Sequence, residues 1–109
     1  MKPRTLANSL AAGLLLTAAL PAWAGNPARG LEISQVCQSC HGEDGNLALE
    51  EDYPIIAGQH FNYLVRALRD YRSGDRDHAI MSSFARDLSD QDIRDLAAWY
   101  ARQDGPLGP

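Results

Sequence analysis

The stretch VCQSCHG, Val36 to Gly42, holds both of the chain's cysteines and one of its three histidines within five consecutive positions. On a helix, residues three and four apart share a face, so Cys37, Cys40 and His41 present two sulfurs and a ring nitrogen to one neighbour. A porphyrin with two vinyl groups and a central iron needs that set. Each thiol can add across a vinyl to form a thioether, and the imidazole can reach the iron from one side. Cys-x-x-Cys-His is an attachment signal for haem c, so one covalent haem and its iron are expected here.

Three other readings use the same residues. A dithiol redox centre calls for Cys-x-x-Cys beside a βαβ pattern, and no strand signal precedes Val36. Zinc needs a fourth ligand at a workable spacing, and only His60 and His78 remain, both isolated. A structural disulfide would close a loop too small to constrain the unfolded chain, and it leaves His41 without a role.

Toward the N-terminus, Lys2 and Arg4 precede an apolar run from Leu10 to Leu20, and Ala22-Trp23-Ala24 places small residues at the two positions a signal peptidase reads. Residues 1–24 are therefore expected to be a signal peptide, cleaved after Ala24 on export to the periplasm. A membrane anchor needs about 20 apolar residues, and Pro21 interrupts this run at roughly half that. Removing residues 1–24 from the 109 leaves 85, a single domain over 25–109, with eight arginines, no lysine and 14 acids. Such an acidic chain excludes nucleic acid and anionic lipid as partners. It is also small enough to need a staple beyond its side-chain core, and a buried macrocycle supplies one at roughly 25 cal/mol per Å² of apolar surface.

Helical signals follow the export segment. Asn26-Pro27 is an N-cap and first-turn pair, opening a helix expected to run through Cys40 until Gly42 stops it, with Leu31, Ile33 and Val36 as a rough apolar stripe. Residues 42–57 read as a loop. Phe61, Leu64, Val65, Leu68 and Tyr71 recur at helical spacing between Gly58 and Ser73. The last helix has the clearest start: Ser89 as N-cap, Asp92 completing a capping box, Leu88 stapled onto Ile93, then Leu96, Ala97 and Tyr100 on one face. The expected fold class is all-α, three main helices wrapped around one haem.

One imidazole leaves the other side of the iron open. Met1 belongs to the export segment, so Met81 is the one thioether of the mature domain, forty residues after His41 in DHAIMSSF. That segment reads as an extended loop between the two later helices, from which Met81 can approach the second face as an axial ligand. An ordinary buried methionine is the plain alternative. His78, flanked by Arg76 and Asp77, is the rival ligand and reads as a solvent-facing side chain, as does His60. A neutral, soft sulfur favours ferrous iron and raises the reduction potential relative to a second imidazole.

Taken in order, Cys37-Gln38-Ser39-Cys40-His41, YPIIAGQHFNYL, the lone Met81 and LSDQDIRDLAAWYA resemble the class I cytochromes c. The likeness is to the short bacterial kind, found singly as small soluble c-553-type proteins or as halves of periplasmic dihaem cytochromes, and it covers residues 27–103. It implies the cytochrome c fold, with Cys37 and Cys40 as thioether attachments and His41 and Met81 as axial ligands. Pro54 matches the proline whose carbonyl accepts a hydrogen bond from the ligating imidazole, and Gly30 and Trp99 match the crossing of the first and last helices. Familiar members ring the haem edge with lysines; the mature domain has none, so docking is expected through a weakly polar contact or through an acidic face meeting a basic partner. The expected function is a soluble periplasmic carrier, not an enzyme, passing one electron between redox proteins as a monomer or weak dimer. The alternatives are a permanent electron-transfer subunit of a dehydrogenase or oxidase complex, or a haem enzyme or ligand sensor with an open sixth position.

Overall fold

The computed structural model describes the chain apart from residues 6, 7, 9 and 17–23. Residues 17–20 of the apolar run and residues 22 and 23 of the cleavage site read as an export signal therefore lie outside the described residues. Among the described residues no helix is long and apolar enough to cross a membrane.

The described residues form five helices: α1 Pro27–Ile33, α2 Gln35–His41, α3 Phe61–Ser73, α4 Ala79–Ala85 and α5 Asp90–Ala101. The expected first helix is thus two. Ser34 breaks it: the hydroxyl donates back to the Leu31 carbonyl (2.7 Å), the Ser34 N–H donates to the same carbonyl (3.2 Å), and ψ flattens to −2°. A serine that bonds its own preceding turn competes with the helix ladder and turns the axis. The break leaves Val36 more than half exposed, and of the expected Leu31, Ile33 and Val36 only Ile33 packs on the core. The segment DHAIMSSF is a second difference. It forms the short helix α4 instead of an extended loop, because His78 caps it and Ser82 closes its first turn.

Helix α5 matches its sequence signals. The Ser89 hydroxyl accepts the Asp92 N–H (3.0 Å) while the Asp92 carboxylate accepts the Ser89 N–H (3.0 Å), the reciprocal capping box. Ile93, Leu96, Ala97 and Tyr100 are all buried, against Leu64 and Val65 of α3, with Leu88 also packed on this cluster. On its other side α5 crosses α1 at Gly30, where a Cβ would lie 2.0 Å from the Asp95 carbonyl oxygen and 2.9 Å from the Trp99 Cβ. Only a residue without a side chain permits that approach.

Asp95 seals the crossing. Its carboxylate is 1% exposed and accepts from the Asn26 N–H (2.7 Å), the Arg29 guanidinium (2.7 Å) and the Gln91 amide (2.8 Å). Arg29 also reaches Asp92 at 2.8 Å. A buried carboxylate survives only when bonded in this way. Burial pushes the Asp95 carboxyl up, but Arg29, the Asn26 amide and Gln91 outweigh it and hold it below the usual carboxylate range.

Candidate functional site: the cavity framed by α2, α3 and α4

The core described so far leaves a cavity of about 360 Å³, a volume typical of pockets that enclose small molecules, about 300–1,000 Å³. Cys37, Cys40 and His41 reach it from α2 and Met81 from α4, while Pro54 and Tyr100 complete different parts of the wall. Helices α2 and α4 do not pack on each other; α4 rests on α3, and α2 adjoins α1. The two groups of soft and imidazole donors therefore share a gap instead of a packed interface.

His41 is nearly buried, 7% exposed, at the C-terminal end of α2. Its Nδ1 lies 2.9 Å from the Pro54 carbonyl oxygen. That carbonyl can only accept, so Nδ1 carries the proton and Nε2 keeps a free lone pair. Pro54 is brought there by a braced loop. The Leu47 N–H donates to the His41 carbonyl (3.0 Å), the Ile56 and Ala57 N–H groups to the Gly45 carbonyl (2.9 and 3.2 Å), and the Gly58 N–H to the Tyr100 carbonyl (2.9 Å). Asn46 extends the bracing to the C-terminal segment through the Asp104 carbonyl, 2.8 Å.

Burial pushes the Cys37 thiol up; the neighbouring Tyr100 hydroxyl offsets part of that rise and Cys40 adds to it. A reactive dithiol centre instead depresses the pKa of its attacking sulfur. Cys37 and Cys40 are both free thiols, not a disulfide. Among the described residues no three of His, Cys, Asp and Glu converge to hold a metal ion by themselves. Among the described residues the Tyr100 hydroxyl, buried on the cavity wall near Cys37, has no partner at full hydrogen-bonding geometry. An orphaned donor of this kind fits a bound group that brings its own acceptor.

The expected residues are accordingly brought to one place. His60, at the start of α3, is exposed and caps nothing with its side chain. His78 is exposed too, yet its ring caps α4 and lines the cavity, a role its charged neighbours had masked. Tyr100 was legible only as a core residue, since nothing in a helical stripe marks one hydroxyl as unpaired.

An all-α domain with an enclosed apolar cavity, Cys-x-x-Cys-His on one wall and a lone methionine on another, defines a small c-type cytochrome. A family model described as "Cytochrome C oxidase, cbb3-type, subunit III" matches residues 25–99, and the chain belongs to that family of cytochrome c domains, which carry covalent haem c and its iron. It is 38% identical over 104 residues to cytochrome c4 of Pseudomonas aeruginosa, covering 93% of this chain and 51% of that protein. It is 40% identical to cytochrome c-554(548) of Halomonas halodenitrificans, covering 74% of this chain and all of that protein. The crystal structure of reduced recombinant cytochrome c4 from Pseudomonas stutzeri superposes with a TM-score of 0.70 at 35% identity, over 75% of this chain and 47% of that one. The chain thus spans about half the length of the cytochrome c4 relatives, and 74% of it matches the whole of the shorter one. This likeness agrees with the cytochrome c fold expected from the sequence.

Proposed function

We propose that the protein is an exported one-electron carrier in which Cys37 and Cys40 hold the haem by thioethers and His41 and Met81 ligate its iron. When bound, the iron supplies the change between ferric and ferrous states. The chain's own residues do the rest. Pro54 fixes the His41 ring and its tautomer, which leaves Nε2 as the donor and raises its basicity. The Met81 sulfur, soft and neutral, favours the reduced state. The apolar wall excludes water, so little has to rearrange when the charge changes. The observation that carries this reading is the His41–Pro54 bond, 2.9 Å, on a cavity that also receives Met81.

In this reading residues 25–109 are the mature domain, freed by cleavage after Ala24, and the periplasm is where it works. Its donor and acceptor are redox proteins. Relatives named "thiosulfate dehydrogenase electron acceptor", 34% identical over 90 residues in Thiomonas intermedia, accord with a carrier that serves an enzyme and is not one itself. The test is the ferric absorbance spectrum of holo-protein beside its Met81→Ala variant. The native protein is expected to be low-spin with a weak long-wavelength sulfur-to-iron band. The variant is expected to lose that band, show a lower potential and bind carbon monoxide readily when reduced. A native spectrum that is high-spin, or unchanged by the substitution, overturns the ligand assignment in favour of an open or differently filled sixth position.

A further inference from the structure

We propose that His78 is the residue that positions Met81, by capping the helix that carries it. The inference rests on reading Met81 as the iron's second ligand. Helix α4 has seven residues, far too few to be stable alone. Among the described residues it packs on α3 and on no other helix. Its integrity and its place therefore depend on that one contact and on its cap.

The cap bonds to the ligand residue itself. His78 Nδ1 accepts the backbone N–H of Met81, the third residue of the helix, at 3.3 Å. This is the N-cap arrangement normally supplied by Ser, Asp or Asn, here made by an imidazole. The His78 N–H donates to the Ser82 hydroxyl (3.2 Å), and that hydroxyl donates to the Arg76 carbonyl (3.3 Å). The ring stands edge-on to Tyr71 of α3, with centroids 6.3 Å apart and planes at 73°. The Arg76 guanidinium lies over the same tyrosine ring at 4.5 Å. A continuous path runs from α3 through Tyr71 and His78 to the Met81 backbone, and all of it borders the cavity.

The same geometry bears on the rivalry between the two candidate ligands. A ring whose Nδ1 accepts a backbone N–H carries its proton on Nε2, so neither nitrogen has a lone pair to spare for iron. His78 serves the methionine and does not replace it.

The test uses ferric holo-protein titrated with free imidazole and followed by absorbance. Imidazole can bind only where Met81 has left the iron, so its apparent affinity measures the fraction detached. Loss of an N-cap side chain shifts a helix equilibrium about fivefold, and His78→Ala is expected to raise the apparent imidazole affinity by about that factor. His78→Asn, whose side-chain oxygen can accept the same N–H, is expected to return it close to native. Far-UV circular dichroism checks that all variants fold. Native affinity in His78→Ala, with Met81→Ala having lost the sulfur band, overturns the positioning role and leaves the ligand assignment standing. His78→Asn as loose as His78→Ala overturns the capping explanation. A sulfur band that persists in Met81→Ala overturns the ligand reading and this inference with it.

Discussion

Gly30→Ala is the substitution whose effect the structure determines most directly. The new Cβ would sit 2.0 Å from the Asp95 carbonyl oxygen and 2.7 Å from its carbonyl carbon, both backbone atoms of α5 that no rotamer change can move. An ordinary C···O approach is about 3.3 Å or more, so α1 and α5 must separate by roughly 1.3 Å. The Asn26 N–H bond to the Asp95 carboxylate, 2.7 Å now, would stretch beyond useful range. Overpacking costs about 1–3 kcal/mol, and disturbing a bond to a buried carboxylate about 1.5–3. Alanine returns about 1 kcal/mol of helix propensity. The net is a loss of about 3 kcal/mol, which for a domain of this size lowers Tm by roughly 12–24 °C. Thermal unfolding of holo-protein, followed by far-UV circular dichroism, measures it. Gly74→Ala is the control: Gly74 ends α3 at φ +88° with nothing within 4 Å of the added carbon, so only the left-handed backbone penalty of about 1–2 kcal/mol applies. If Gly30→Ala melts within a few degrees of native, or no lower than Gly74→Ala, the crossing does not carry the load assigned to it.

Acid should destabilise the protein in a defined window. Asp95 (held low by Arg29, Asn26 and Gln91 against its burial), Asp92 (by the Ser89 amide), Asp90 (by Arg72) and Asp44 (by Asn46) all titrate below the usual range. Stability from a depressed carboxylate is present above its unfolded pKa, about 3.9, and is lost as pH falls through the folded value. Tm should therefore hold level above about pH 5 and fall below about pH 4, and the Asp95→Asn variant should start lower and show a shallower acid decline; an equally steep decline would rule out Asp95 as a source. Apo-protein made without haem ligation should have lost most of its helical signal, because without the macrocycle the cavity of about 360 Å³ leaves Leu64, Leu96, Ala97 and Tyr100 unpacked on one side; a native-like apo spectrum would contradict this. Pigment should stay with the polypeptide in acidified organic solvent, since thioethers at Cys37 and Cys40 survive conditions that strip unlinked haem, and a colourless pellet would show that the cysteines are not attached.

Much of this protein was legible before folding because its chemistry is packed into local patterns. Cys37, Cys40 and His41 are one helical turn, and the Ser89–Asp92 box and the Ile93-Leu96-Ala97-Tyr100 stripe of α5 are written within a dozen residues. Met81 stood out as the one methionine outside the expected export segment. Local pattern misled where a polar side chain had two possible partners. Ser34 could have faced outward along a continuous helix, and its bond to Leu31 became visible only with the α1–α2 break. His78 read as solvent-facing because its neighbours are charged, and it is exposed; what the pattern did not show is its cap on Met81, made beside the Tyr71 ring of α3.

The sequence alone determined the attachment motif, the helical class and the identities of the candidate ligands, since these depend on residue type and on spacings within a turn or two. Tertiary structure decided the anchoring: the Asp95 carboxylate under α1, and the Tyr71 ring that α3 sets beside the His78 cap. For Asp95 the physical reason is distance along the chain. A hydrogen bond between residues 66 or 69 positions apart leaves no local signature, because either partner could equally be satisfied by water until the helices cross.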